Sequence, residues 1–434
     1  MHLIKNGNKY YIVKNNNSNY GIYGNYYTII NGRLLWANPD IYLQSSGEQY
    51  IDTGYYLQSN NLKVKTKFTF DFSTYSSEKD ILGSLGSNRF SIGTLSRKVF
   101  AYSRTGNTTN SLTSNTFNGI QTLDSEIIYD YDNSTKEIKI DGNTISGTNT
   151  IPIASTSNLL LLGPNLDRLF IGNIYYCKIY DNNSLVRHFV PVPKGLLIGN
   201  FVVPSNGMFD IVNQQFYENQ GTGEFEIGGI PEDYINVGDN IVWVNENVYL
   251  ESSGSKYIDT EVKPTNLTVV EGKTMLTTIN KFIYGSRTSK TASNIHDWVV
   301  NTATSNFPQF GSDDSSVTFS WNLNQIYKIK NGQDGAYVDG TLIKSYATYT
   351  FTSTLNMYLF GLNQNGSLES RSLIGRIYNF QIKENSKLIR YFLPVNTNTV
   401  IGNFTVPAPG MWDAVTKTFY PNKGSGTFIY GKDN

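Results

Sequence analysis

YLQSSGEQYIDT, residues 42–53, returns as YLESSGSKYIDT at residues 249–260. Late in the chain the pattern recurs: IGNFVVPSNGMFD (198–210) comes back as IGNFTVPAPGMWD (401–413). The spacings, 207 and 203 residues, far exceed the ~20–50 residues of a solenoid unit. Each copy is therefore a whole domain with its own core, which predicts a first module at 34–229 and a second at 230–434. Residues 1–33 read as an unrepeated leader rich in Tyr, Asn and Gly, either an attachment segment or extra strands on module 1.

Between these anchors the chain alternates. LKVKTKFTFDF (62–72) has the period of a half-buried strand. KEIKIDGNTI (136–145) turns at Asp141-Gly142, and AYVDGTLI (336–343) turns at Asp339-Gly340. Asp-Gly between alternating runs predicts a hairpin, because a type I′ turn needs positive φ at both central residues. Three more strand pairs follow the repeat: NLLLLG (158–163) with NMYLFG (356–361), IGNIYYCKIY (171–180) with IGRIYNFQIK (374–383), and LVRHFVPV (185–192) with LIRYFLPV (388–395). The offset drifts between strands and not within them, as loops vary on a fixed scaffold. No long stretch carries the i, i+3, i+4, i+7 pattern of an amphipathic helix. Many short strands over ~200 residues predict an all-β fold, two tandem two-sheet jelly-roll sandwiches with a short N-terminal extension. GGIPED (228–233) would link them.

Lys+Arg and Asp+Glu both total 35, for zero formal charge. That opposes a basic nucleic-acid surface and electrostatic docking to a membrane. Only 16% of residues are charged, with 31 Tyr and 38 Gly making up part of the difference. Such a surface suits neutral polar ligands, and equally a large β-protein kept soluble by hydroxyls and amides. Cys177 is alone, so no intramolecular disulfide is expected and no zinc site; it reads as a small core hydrophobe. MHLIKNGNKYYIVKNNN lacks the 7–15-residue apolar stretch of a secretory signal, and no run reaches the ~18 apolar residues of a membrane helix.

Chemistry-bearing patterns are sparse. Glycoside hydrolysis needs two carboxylates flanking the scissile bond, and the nearest cluster, Glu126, Asp130 and Asp132, reads as a solvated strand edge. His2, His188 and His296 lie near no G-x-S-x-G elbow. No enzyme, catalytic residue or cofactor is expected. Asp52 and Asp259, in the repeated YIDT, offer hard oxygen to calcium or cap a turn; Asp210 and Asp413 pose the same choice. Arg187 and Arg390 are read as bridging a carboxylate or strand-end carbonyls, with sugar binding as the alternative. Tyr50/Tyr257, Trp36/Trp243 and Phe216-Tyr217/Phe419-Tyr420 could stack on a sugar ring or fill a core. Trp298, in NIHDW (294–298), has no evident counterpart and is either an exposed stacking residue or core. The candidate ligand contacts are thus Tyr50, Asp52, Tyr257, Asp259 and Trp298. The Asn/Thr/Ser-rich stretch 104–118 and segments 294–298 and 307–315 differ between copies, which makes them the places to seek specificity.

The order YIDT, IDG or Y-x-DG, IG-x-IY, L-[VI]-R-x-F-x-PV and GM-[FW]-D-x-V-x-x-x-FY-x-N-x-G-[TS]-G-x-F resembles the concanavalin A-like, laminin-G-type jelly rolls of tailed-bacteriophage virion proteins. The resemblance spans nearly all of 34–434, twice, and is most specific at 207–225 and 410–428. It implies a virion-surface fibre or decoration protein, made in the host cytoplasm and homo-oligomeric. Its partners would be other virion proteins and host-surface or mucosal glycans. A purely architectural virion protein is the alternative, and a bacterial carbohydrate-binding or degrading protein a third. The calcium and sugar ligands of legume lectins have no matching motif here.

Overall fold

The computed structural model describes residues 2–6, 9–13, 27–73, 77–84, 88–105, 107–163, 168–230, 234–237 and 239–433. Of the expected attachment segment at 1–33, residues 1, 7–8 and 14–26 lie outside the described residues. The chain divides into two compact units, Asn25–Glu232 and Asp233–Asn434, with Met1–Gly24 assigned to the latter. No α-helix occurs among the described residues.

Each unit is a sandwich of two antiparallel-dominated sheets. The larger sheet of module 1 runs from Asn143–Thr148 through Thr135–Ile140, Ile120–Asp130, Asn61–Asp71, Ile171–Asp181, Ser184–Val192 and Gly207–Asp210 to Gln215–Tyr217. Module 2 repeats this order, from Thr341–Lys344 to Thr418–Tyr420. The smaller sheet of module 1 runs from Thr108–Thr113 to the two-residue edge strand Ile51–Asp52; in module 2 the edge strand is Ile258–Asp259. Sequence alternation sets which side chains face inward. Along Asn61–Asp71 every second residue is buried; Leu62, Val64, Phe68 and Phe70 enter the core, each contributing about 1.5–3 kcal/mol by leaving water. The Asp-Gly turns have the positive φ their strands demand: Asp141 47° and Gly142 84°, Asp339 49° and Gly340 80°.

Each sandwich closes on itself. Glu226–Gly228, the last strand of module 1, pairs with Tyr42–Ser46, the first after the opening hairpin, and Ile429–Lys432 pairs with Val248–Ser253. The late G-[TS]-G motif serves this closure. A side chain at Gly221 would overlap the carbonyl oxygen of Glu48, and one at Gly424 that of Ser255.

The repeat also begins earlier than residue 34. Tyr27–Ile30 and Arg33–Ala37 form a hairpin whose counterpart is Tyr234–Val237 with Asn240–Val244, so residues 27–33 are repeated after all. Each hairpin docks on its own module. Tyr27 Oη donates to the Pro191 carbonyl at 2.9 Å. In module 2, Asn240 Nδ2 donates to the Ala414 carbonyl at 2.7 Å and Asn240 Oδ1 accepts from Trp412 Nε1 at 2.6 Å.

One buried cation stands out in module 1. Lys136 is 0% exposed; its Nζ reaches Asn110 Oδ1 at 2.7 Å and Ser103 Oγ at 3.0 Å and lies over the Tyr129 ring. No carboxylate is among these partners, and burial pushes its pKa down to about 8. The unfolded chain therefore holds the proton more tightly between pH 8 and 10.5, and stability should rise with pH across that window. Lys136→Met, which keeps the volume and removes the charge, should stabilise module 1 by about 1–3 kcal/mol at pH 7 and abolish the alkaline gain. Denaturant melts at pH 7 and 10 check both.

Candidate functional site

The edge strand of each smaller sheet presents a repeated polar group. Period-2 alternation sends Ile51 and Ile258 inward and leaves Tyr50, Asp52, Tyr257 and Asp259 half-buried on the other face. Asp52 sits across from Leu160 and accepts from Asn158 Nδ2 at 3.0 and 3.2 Å. Asp259 sits across from Tyr358 and accepts from Asn356 Nδ2 at 3.3 Å. In module 2 the Tyr257 and Tyr358 rings stack, with centroids 4.4 Å apart.

Four of the five candidate contacts thus lie on two corresponding edges, where each aspartate is bonded to an asparagine and a tyrosine precedes it by two residues; module 2 adds Tyr358 where module 1 has Leu160. Asn158 and Asn356 escape the sequence reading, although they open the paired runs NLLLLG and NMYLFG. The same carboxylates also cap their turns, Asp52 Oδ1 accepting from the Gly54 N–H and Asp259 Oδ1 from the Glu261 N–H, both at 2.9 Å. One carboxylate per group leaves acceptor capacity for a hydroxyl, the amide supplies a donor and an acceptor, and the ring supplies a face for sugar C–H groups. Among the described residues no three His, Cys, Asp or Glu side chains come together as a metal-holding set.

Trp298 requires a correction. It is 0% exposed, cross-strand from Tyr284 and Pro308, within the core of module 2, so it cannot stack on an external ring. Register supplies its counterpart: Gly83–Ser91 in module 1 corresponds to Gly285–Asp297, which places Ile92 where Trp298 stands.

Asp210 and Asp413 are interior anchors. Asp210 Oδ1 accepts from the N–H groups of His188 and Val212 at 2.9 and 3.0 Å, and Arg187 Nε lies 3.5 Å from Oδ2. Asp413 repeats this with Tyr391, Val415 and, at 3.4 Å, Arg390. Both arginines also donate to strand carbonyls, Arg187 to Val186 and Arg390 to Ile389. The Glu126, Asp130 and Asp132 carboxylates are separately engaged: Glu126 with Lys65 at 2.6 Å, Asp130 with Asn133, Asp132 with Asn61.

Each module also buries a further carboxylate, Asp80 or Asp297; the His296 imidazole of module 2 is buried too, while His188 of module 1 is half-buried. Burial raises Asp80 and Asp297 to about 7, Asp80 despite its hydrogen bond from Ser91. Burial lowers His188 to about 3 and His296 to about 4.

No protein-family model and no curated protein matches the chain. Among solved structures it is similar to domains LG4-5 of the mouse laminin α1 chain, at 11% identity over 85% of this chain and 94% of that one, TM-score 0.30. It is similar also to the LG1-3 region of the laminin α2 chain, at 11% identity over 80% and 62%, TM-score 0.29. The NanB sialidase of Streptococcus pneumoniae matches at 10% identity over 88% and 82%, TM-score 0.27. Similarity of this order specifies neither a ligand nor an activity.

Proposed function

We propose that the protein is a non-enzymatic glycan-binding protein, displayed on a virion surface as fibre or decoration, that engages host-surface or mucosal glycans through two corresponding rim sites. The observation that carries the binding reading is the duplicated Tyr–Asp–Asn group: Tyr50, Asp52 and Asn158 in module 1; Tyr257, Asp259 and Asn356 in module 2. Zero net charge and few charged residues favour a neutral ligand. The virion setting rests on the sequence motifs at 207–225 and 410–428. Weak sites on one chain gain through avidity, because the second contact becomes intramolecular.

The test is saturable binding of the full chain to host cells and a polysaccharide panel, competed by a defined sugar. Asn158→Ala or Asn356→Ala alone should weaken binding roughly 10-fold, the scale of one or two lost hydrogen bonds. The double variant should weaken it by about 100-fold or more. These asparagines are chosen because the aspartates also hold turns. If protein multimerised on beads binds no glycan, the rim groups are turn-forming only and the architectural reading replaces this one.

A further inference from the structure

Module 1 contains a cavity that module 2 has filled. It measures about 90 Å³ and lies where the sheet margins meet, lined by Ser114, Asn115, Phe117, Ile138, Ile140 and Ile145, with Asp141 and Asn143 at the mouth. Three of these eight residues come from the variable stretch 104–118 and five from the Asp-Gly hairpin.

Register locates the same place in module 2. Ile138 and Ile140 correspond to Ala336 and Val338, as their cross-strand partners show. Phe117 corresponds to Trp321: each donates its backbone N–H to the opposite margin, to Arg97 and Ala303 respectively. Leu123 corresponds to Tyr327. Module 2 thus shrinks the floor and enlarges the wall, and Trp321 is 2% exposed with its ring centroid 4.4 Å from that of Tyr327. A chain that packs one copy solid has the means to pack the other. Module 1 keeps bulky isoleucines on the floor and lacks the tryptophan that would close the gap.

The mouth is polar and uncommitted. Asn115, Asp141 and Asn143 are exposed; the Asn115 and Asn143 amides have no hydrogen-bond partner among the described residues, while Asp141 Oδ1 makes one long bond, from the Asp124 N–H at 3.4 Å. A volume of about 90 Å³ is several times the ~10–15 Å³ that a single water needs, room for a short substituent. The floor wants a methyl group; the mouth offers amide donors and a carboxylate acceptor. An acetamido group matches all three, its methyl on Ile138, Ile140 and Ile145, its C=O toward the asparagine amides, its N–H toward Asp141.

We propose that module 1, and not module 2, carries a second subsite that takes the acetamido group of an N-acetylated hexosamine. This rests on the glycan-binding reading but uses none of the rim residues. The experiment is methyl NMR on the full chain, titrated with oligomers of N-acetylglucosamine and, in parallel, of glucose. The δ-methyl resonances of Ile138, Ile140 and Ile145 should shift with the acetylated sugar at least 10-fold more tightly than with glucose, and Ile145→Trp should abolish the shifts. Asn143→Ala, an exposed change that leaves folding intact, should weaken them about 5- to 10-fold. The Asn158→Ala/Asn356→Ala chain, titrated alongside, should retain the isoleucine shifts, which separates failure of the rim reading from failure of this one. Unmoved isoleucine methyls, equal response to both sugars, or undiminished binding by Ile145→Trp would each overturn the assignment.

Discussion

Asp413→Ala should cost module 2 about 3–5 kcal/mol, the usual loss when one member of a buried ion pair is removed. The carboxylate is 0% exposed, and its loss strands three things at once. The N–H groups of Tyr391 and Val415 lose their acceptor, and Arg390 keeps only carbonyl partners for its charge. At about 2–4 °C per kcal/mol for a domain of this size, the calorimetric transition of module 2 should fall by about 6–20 °C. Asp210→Ala should do the same to module 1 through His188, Val212 and Arg187. Asp413→Asn keeps an acceptor for both N–H groups, so its cost should be smaller. If both alanine variants melt within about 2 °C of the parent, the aspartates are not anchors.

Asp297→Asn should stabilise module 2 at pH 8 and make it acid-sensitive. Asp297 has no hydrogen bond to either carboxylate oxygen, and Arg287 Nη1 approaches only to 3.5 Å. Desolvation outweighs that attraction, so its pKa rises to about 7. The folded module holds this proton from about pH 7 down, the unfolded chain only near 3.8, so acidification through that window stabilises. His296 works in the opposite sense: the unfolded imidazole takes a proton near 6.5, the buried one only near 4. Between pH 6.5 and 4 the two effects cancel, and the parent should melt at a nearly constant temperature. Asparagine mimics the protonated acid, so the gain at pH 8 should reach the order of 4 kcal/mol, at 1.36 kcal/mol per pH unit. Stability of the variant should then fall as pH drops below 6.5. His296→Gln should show the mirror profile, gaining stability from pH 7 to 4. Parallel profiles in all three proteins would refute the cancellation. Asp80 and His188 predict the same opposition in module 1.

Duplication made much of this fold legible. Where both copies retain the same residues, as in YIDT, the Asp-Gly turns and the late Gly-Met block, the reading located strands and turns, because a residue held twice is constrained by backbone geometry or burial. Where one copy drifted, the reading lost the element. The opening hairpins share little beyond Tyr27/Tyr234 and Trp36/Trp243, since two short strands docked by a tyrosine hydroxyl or an asparagine tolerate most other side chains. Trp298 misled for a different reason. The strand Ile295–Val300 is buried on both faces, so the His and Asp that flank the tryptophan look like a polar loop although they are interior. Asn158 and Asn356 were hidden at the margins of apolar runs, where an amide reads as a strand end. The cavity of module 1 could not be read at all, because it is a volume difference among Phe117, Leu123, Ile138 and Ile140 and their counterparts, and linear sequence records volumes without recording which of them meet.

The pairing of each module's last strand with its first has a genetic consequence. An insertion brings its entry and exit points side by side, so a unit whose ends already neighbour one another can be copied, excised or spliced into a loop without stretching its host. The stretch from Tyr42 to Gly228, or from Val248 to Lys432, is such a cassette, its two end residues being cross-strand partners. Recombination breakpoints near these paired ends would exchange complete sandwich units between genes, and a circularly permuted gene joined at residues 228 and 42 should still encode a folded sandwich.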